Sequence, residues 1–352
     1  MHVAFVSLYP EQRRADGATA RTRRVAEGLA ARGHDVTVCC AQWWEGPLDA
    51  FSQNDVDYVA VTEGTSARAF ASKVPFALRR AGPDVIYAAN SPPSQVLAAR
   101  TAARFLRVPV VVDWWAVRDG DSERLVGRAA RAADRVLAPS RLVKTAVREH
   151  GTAAEDVTVV PESVDFDLIR SASVDNRADL VYARRLDEHA NAESFLLALA
   201  ELRNRDWRAV VIGDGPERGA VEETAAELRI DDRVSFLGSL APSEFVPILK
   251  GAHVFAQTST VEPFARELLW ALACGCVGIV EYQAASSAHE LVENCDRGAR
   301  VTSPQELAAE VVAAAGHDRL SVDETFGHYH RETVLETYER VFTEECDGYG
   351  FL

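Results

Sequence analysis

Lysine is almost missing from these 352 residues. Among 38 basic side chains only Lys73, Lys144 and Lys250 are lysines, set against 53 acids. The resulting formal charge of −15 argues against nucleic acid as the main partner, because phosphate backbones need a basic surface. An acidic, lysine-poor composition suits a cytosol of high salt, where screening tolerates self-repulsion. A genome that encodes arginine often gives the same bias, and both readings stay open. A disulfide framework is missing too. Of the six cysteines, Cys39 and Cys40 are adjacent at the end of an expected strand and Cys274 and Cys276 flank one glycine. Cys295 and Cys346 stand alone. None has zinc-ligand spacing, and a chain this long needs no staples, so reduced, packed thiols are expected. The N-terminus lacks the basic start and long apolar run of a secretion signal, and no apolar stretch approaches the ~20 residues that span a bilayer. The expected location is the cytosol, extending to the inner face of the membrane. No histidine cluster has metal spacing, so no metal is expected, and there is no solenoid repeat or low-complexity segment.

What is present is an alternation of strand and helix. The 47% hydrophobic fraction supports packed cores, and the length favours two domains. Apolar runs at His2–Ser7, Asp35–Cys40, Tyr58–Thr62, Val85–Ala88, Val108–Asp113, Arg135–Ala138 and Val157–Val160 read as strands. Helical periodicity covers Thr19–Arg32, Pro93–Leu106 and Ser140–His150. The rhythm pauses over Pro161–Arg177. It then resumes with strands at Ala178–Tyr182, Arg208–Ile212, Val234–Leu237, Val254–Gln257 and Val277–Val280. Between these lie helices at Ala192–Arg203, Pro216–Leu228, Pro242–Gly251 and Phe264–Cys274. Continuous apolar strands with intervening helices imply parallel sheets covered on both faces. The economical reading is an α/β chain of two doubly wound, Rossmann-like units joined near residue 165. The amphipathic helix Arg331–Glu345 is a candidate to pack back on the first unit.

In such sheets ligands collect beyond the carboxyl ends of the strands, so the turns after strands should carry the chemistry. The most informative turn opens the segment Thr258–Gly275. Pro263 and Phe264 follow Glu262 where a strand gives way to a helix. Backbone N–H groups and the helix dipole there would hold a phosphate. Glu262 would accept hydrogen bonds from sugar hydroxyls, and Arg266 would pair with a diphosphate. A plain helix start, with Glu262 only offsetting the dipole, fits the same residues.

This segment resembles the donor-site motif E-P-F-G-x-x-x-x-E-A-x-A-C-G of family four glycosyltransferases. Val181–Glu188 is similar to that family's G-R-L-D-x-x-K, Val211–Glu217 to its I-G-D-G-P turn, and Val234–Gly238 to its V-x-F-L-G strand. Earlier in the chain, Leu29–Val38, Ala133–Ser140 and Pro161–Asp165 resemble L-x-x-R-G-H-x-V-x-V, A-D-x-V-x-x-P-S and P-N-G-V-D. Seven such matches fall in the family's order. The resemblance implies a GT-B architecture, two Rossmann-like domains facing across a cleft. Residues 1–165 would bind the acceptor and 166–325 the nucleotide sugar, UDP- or GDP-linked, while 326–352 would cross back to the first domain. It implies a retaining transfer without a metal. Arg185 would pair with the diphosphate, and Glu262 would bind the donor sugar. Gly213, Asp214, Gly215, Phe236 and Gly238 would border the base. Because charge builds on the leaving phosphate, fixed cations and N–H donors matter there more than a strong base.

Two positions depart from the pattern. Trp270 stands where the family has its second glutamate, which receives ribose hydroxyls that an indole cannot accept; Glu267, on nearly the same helical face, is a candidate substitute or a solvated helix charge. Ala190 stands at the diphosphate lysine, leaving Arg184 or Arg266 to supply the cation. In the first domain Gly17 would allow close approach of the donor phosphate. Asp113 is a candidate general base, or alternatively a helix cap or ion-pair partner. Trp43, Trp44, Trp114 and Trp115 follow strands and could stack on an acceptor sugar or isoprenoid, or simply pack. Arg21, Arg23 and Arg24 are candidates to meet a lipid phosphate. Partners so implied are a nucleotide sugar, a glycan or lipid-linked acceptor, and a membrane surface. Two other functions remain open: a nucleotide-sugar epimerase of the same architecture, and a binding subunit whose catalysis has lapsed.

Overall fold

The computed structural model describes residues 1–46, 49–118 and 120–349. It consists of two compact units, Met1–Pro161 with Glu332–Leu352, and Glu162–Arg331; residues 350–352 lie outside the description.

In the first unit β1 (His2–Val6), α1 (Gly17–Ala31), β2 (Asp35–Ala41), β3 (Ala50–Gln53), β4 (Val56–Thr62), α2 (Ala67–Ala81) and β5 (Val85–Ala89) come first. They are followed by α3 (Pro93–Leu106), β6 (Val110–Asp113), α4 (Glu123–Ala130), β7 (Arg135–Ala138), α5 (Arg141–Glu149) and β8 (Val157–Val159). The strands form one sheet in the order β3-β4-β2-β1-β5-β6-β7-β8, parallel except for the β3–β4 edge pair. Val3 to Val6 of β1 are fully buried on both faces, as a central parallel strand requires. Burial of each larger apolar side chain there contributes about 1.5–3 kcal/mol. Helix α1 opens with a capping box in which the Asp16 carboxylate accepts from Thr19 N at 3.0 Å while Thr19 Oγ1 accepts from Asp16 N at 3.1 Å. Such a cap stabilises a helix by about 1 kcal/mol.

The second unit holds α6 (Phe166–Ser171), β9 (Leu180–Ala183), α7 (Ala192–Glu201), β10 (Ala209–Ile212), α8 (Arg218–Glu227) and β11 (Val234–Gly238). After these come α9 (Pro242–Gly251), β12 (Val254–Gln257), β13 (Val261–Glu262), α10 (Arg266–Ala273), β14 (Val277–Glu281) and β15 (Ala285–Ser286). Then follow α11 (His289–Val292), β16 (Gly298–Val301) and α12 (Pro304–Ala313). Its parallel sheet runs β11-β10-β9-β12-β14-β16, with β13 and β15 paired separately. The first unit ends at Pro161 rather than at 165, and the second extends to Arg331 rather than to 325. The reason is local pairing: Val164 N donates to Tyr329 O, and Arg331 N to Val164 O.

The last helix, α13 (Arg331–Tyr349), returns to the first unit. Val334, Leu335, Tyr338, Val341 and Phe342 join the core beneath α1. Arg32 ties it down through Glu339 at 2.7 Å and Glu332 at 2.8 Å.

Both sheets contain a point where the strand order reverses, between β1 and β5 in the first and between β9 and β12 in the second. Neighbouring loops part there and leave a crevice beyond the carboxyl ends of the strands.

Candidate functional site

In the second unit the loops after β9 and β12 meet at that reversal and are laced together. Thr260 N donates to His189 O at 3.0 Å. Asn191 Nδ2 donates to Thr258 O at 2.9 Å, and Thr258 Oγ1 to Asn191 O at 2.7 Å. Arg184 Nη1 donates to the carbonyls of His189 at 3.0 Å and Val261 at 3.2 Å. The short β13–β15 pair, reinforced by Ser287 N donating to Glu262 O at 2.8 Å, fixes the backbone of Glu262.

The Glu262 carboxylate lies 3.5 Å from Arg184 Nη1, and Arg184 Nη2 is 3.5 Å from Asp187. The two partners are only 14% and 12% exposed. Burial pushes the Glu262 carboxyl up to about 8, Arg184 pulls it down, and the nearby charges of Glu267 and Asp187 push it up again. At neutral pH Glu262 is therefore mostly a neutral acid, able both to donate and to accept a hydrogen bond. Arg185 differs from its neighbour. It is exposed and, among the described residues, has no ion-pair or hydrogen-bond partner.

The glycine turn after β10 has a packing reason. A Cβ on Gly213 would stand 1.8 Å from Arg184 O, and one on Gly215 2.1 Å from Leu186 O. These glycines seat the β10 turn against the loop that carries Arg184 and Arg185. Leu186 N donating to Asp214 O at 3.0 Å and Gly213 N to Gly238 O at 2.8 Å complete the seat. Gly238 has φ +71°, which favours glycine. Phe236, half-buried, packs against this unit's core.

Several expectations need correction. Helix α10 begins at Arg266, not Phe264, so Pro263 and Phe264 belong to the preceding turn; no side chain caps the helix. Arg266 stands 3.8 Å from the buried Glu162 and lies over the Trp270 ring at 5.5 Å, so its charge is already shared inside the unit. Trp270 is buried edge-on to Phe245 of α9 at 5.6 Å, and Ala190 is buried as well. Neither position lies open to a ligand. Glu267 is half-buried, close enough to Glu262 to act on its ionisation.

The first unit has its own site at the β1/β5 reversal. A cavity of about 260 Å³ is lined by Ser7, Tyr9, Asp16, Thr19, Asn90 and Trp115, among others. Asn90 accepts from Trp115 N at 3.2 Å and donates to Ala116 O at 2.7 Å, which fixes the loop bearing the indole. Arg118 is spent on Asp16 at 2.7 Å. Gly17 proves to be a packing glycine, because a Cβ there would lie 2.6 Å from the Trp115 ring.

Asp113 does not serve as a cleft base. Only 4% exposed, it takes both its oxygens to Arg21 Nε at 3.0 and 3.2 Å. Arg21, 2% exposed, also donates to Val160 O at 2.7 Å and Pro161 O at 3.2 Å. A buried guanidinium needs that carboxylate ionised, so Asp113 is a structural counter-ion and Arg21 cannot meet a lipid. Arg23 is likewise paired, with Glu11 and with Glu27 at 2.7 Å. Three of the four tryptophans are packing residues. Trp43 and Trp44 build an aromatic cluster with Phe51 and Tyr58 that holds the β3–β4 edge, and Trp114 is buried against His150. Only Trp115 among them lines the cavity. Asn90, Asn191 and Thr258 were not singled out in sequence, since isolated Asn and Thr carry no spacing signal.

Among the described residues no group of three or more His, Cys, Asp or Glu could hold a metal ion, and no helix is long and apolar enough to cross a membrane.

Comparison with known proteins follows the division into units. Residues 15–168 match the model of Glycosyltransferase Family 4, and residues 165–333 that of Glycosyl transferases group 1. Over 138 residues the chain is 29% identical to a phosphatidylinositol N-acetylglucosaminyltransferase of Arabidopsis thaliana, a match covering 38% of this chain and 31% of that one. It is 27% identical over 159 residues to alpha-monoglucosyldiacylglycerol synthase of Streptococcus pneumoniae, covering 40% and 36%. To 2-deoxystreptamine glucosyltransferase of Streptomyces kanamyceticus it is 26% identical over 244 residues, covering 61% and 62%. The matched stretches thus span about a third of the length of the first two relatives and under two thirds of the third. Among solved structures, sucrose-phosphate synthase from Thermosynechococcus elongatus superposes with a TM-score of 0.80 at 16% identity, covering 97% of this chain and 98% of that one. Anabaena HepE in complex with UDP gives 0.76 at 20%, covering 98% and 100%. With one family model on each unit and a GT-B fold shared over nearly the full length, the chain belongs to the family 4 glycosyltransferases.

Proposed function

We propose that this protein transfers a glycosyl group, with retention, from a nucleoside-diphosphate sugar to a hydroxyl of a glycan or lipid-linked acceptor. The observation that carries the reading is the crevice at the β9/β12 reversal, where a neutral Glu262 held by Arg184 neighbours the unpartnered Arg185. A neutral carboxyl suits sugar hydroxyls, while an exposed guanidinium suits a diphosphate. In the transfer the bond from anomeric carbon to phosphate oxygen breaks and its electron pair stays on the diphosphate. A bond from the acceptor oxygen forms, and the acceptor proton leaves with the diphosphate. Arg185 stabilises the charge that develops on that leaving group. No carboxylate base is assigned, since Asp113 is committed to Arg21. Retention rests on the family resemblance, and the nucleotide on the likeness in fold to a protein that binds UDP. The acceptor would enter at the first unit's cavity, where the Trp115 face and neighbouring hydroxyls offer stacking and hydrogen bonds to a sugar ring.

A second reading is a nucleotide-sugar-binding protein without turnover, favoured by the burial of Ala190 and Trp270 at the positions of the family's lysine and second glutamate. One experiment separates them. A thermal-shift screen of UDP-, GDP-, ADP- and dTDP-sugars should yield one that raises the melting temperature by several degrees, because ligand at about 100 times its Kd adds ~2.7 kcal/mol. That sugar is then offered with lipid, glycan and aminocyclitol acceptors, and the product's anomeric configuration read by NMR. A shift without hydrolysis or transfer selects the binding protein; no shift with any nucleotide sugar defeats both readings.

A further inference from the structure

Between Glu63 and Asp113 this acidic chain reverses its charge. Seven basic residues lie there against a single acid, Asp84. Arg100 alone of the seven is paired, with Asp134 at 2.6 Å. Arg68, Lys73, Arg79, Arg80, Arg104 and Arg107 are exposed and, among the described residues, have no ion-pair or side-chain hydrogen-bond partner. The contrast with α1 is sharp, since Arg21, Arg23 and Arg32 there are all consumed by carboxylates. Two large rings accompany the unspent cations: Phe76 is 75% exposed and Phe105 84%.

The fold places these residues together. Phe70, Val74 and Leu78 of α2 and Val96, Ala99 and Ala103 of α3 enter one core cluster on the same face of the sheet, and the two helices pack along each other. Their outer faces therefore lie side by side. On α2 the positions 68, 72, 73, 76, 79 and 80 recur at helical spacing on the exposed side. Each helix runs down to the amino end of the parallel strand that follows it, β5 or β6. Phe76, Arg79 and Arg80 consequently stand toward the same sheet edge as Arg104, Phe105 and Arg107.

We propose that this α2–α3 face docks the first unit on an anionic lipid bilayer, the rings entering the headgroup boundary and the cations meeting lipid phosphates. Charge complementarity selects the occupant. A polyanion or an acidic protein would neutralise the cations but give exposed phenylalanines no apolar layer, whereas an anionic interface takes both. The surface would hold the protein beside lipid-borne acceptors, yet the proposal does not rest on the transfer reading, because attachment is read with no sugar donor present.

The test is flotation of the full chain with vesicles of phosphatidylcholine alone or with about a third of phosphatidylglycerol, at ~0.1 and ~1 M salt. The protein should float with the anionic vesicles and stay down with the neutral ones. Arg79→Glu and Arg104→Glu should each lower partition about fivefold or more at low salt, with an effect that shrinks at high salt. Phe76→Ser with Phe105→Ser should lower it about tenfold at either salt. All four sites are exposed, so unchanged melting temperatures are expected and are checked in parallel. Equal partition on both vesicle types, or variants that float like the parent, would overturn the proposal. So would light scattering showing that the charge reversals dissolve a self-association or that an acidic polymer competes while lipid does not.

Discussion

The two strand-order reversals occupy equivalent places in two doubly wound sheets, yet they spend their charges differently. At β9/β12 the loops are tied together by backbone carbonyls and by Arg184, leaving Arg185 open and Glu262 protonated. At β1/β5 the charged groups face one another: Arg21 closes on Asp113 and Arg118 on Asp16. What remains there is a cavity with an indole wall and hydroxyls. One topology thus gives a cationic crevice fit for a diphosphate and a largely neutral one fit for a sugar ring. The difference lies in which side chains find partners within their own unit.

The largest effect that would sharpen this contrast is on stability. Asp113→Ala strands a buried guanidinium and should cost about 3–5 kcal/mol, read as a lowered urea midpoint. A loss below ~1 kcal/mol would mean that Arg21 is not dependent on Asp113. Arg185→Ala should leave stability unchanged and reduce kcat/KM by about 10²–10³, as expected for losing a donor to a developing anion; parental turnover would break the assignment of the cationic crevice.

The next prediction concerns pH. The folded-state value of Glu262 is raised to about 8 from the ordinary 4.5. The folded protein keeps a proton that the unfolded chain gives up, so the stability this group contributes is full below pH 4.5 and is lost as pH climbs to about 8. Glu262→Gln, a mimic of the neutral acid, should flatten the fall in melting temperature across that window. An identical slope in both proteins would mean the carboxyl is ionised at neutral pH. The smallest effect is expected at Trp115→Ala, which should raise the acceptor KM several-fold, as loss of about 1 kcal/mol of stacking does, with donor affinity untouched. A weakened donor and an unchanged acceptor would reverse the roles given to the two crevices.

Legibility in sequence varied for physical reasons. The parallel strands stood out because burial on both faces makes them continuous apolar runs, as in Val110–Val112 and Val210–Ile212. Helix α2 was harder to see: Pro75 interrupts it, and its start at Ser66 is capped only by a 3.5 Å bond to Ala69 N. Edge strand β3 is mostly exposed and pairs antiparallel, so it lacks the apolar signature of the others. At the site, Glu262 and Arg185 were legible from motif position. The partnership of Arg21 with Asp113, separated by 92 residues, left no trace in spacing.

By itself the sequence determined the layer architecture, because strand and helix periods are properties of neighbouring residues and their burial. It also determined the two glycine-bearing turns, since no other residue clears the carbonyls of Arg184 and Leu186. Only the tertiary structure decided which charges stay available. Ion pairing depends on distances between segments far apart in the chain, so Arg21 and Asp113 vanish into a buried pair while Arg185 and the α2–α3 cations are left to meet something else.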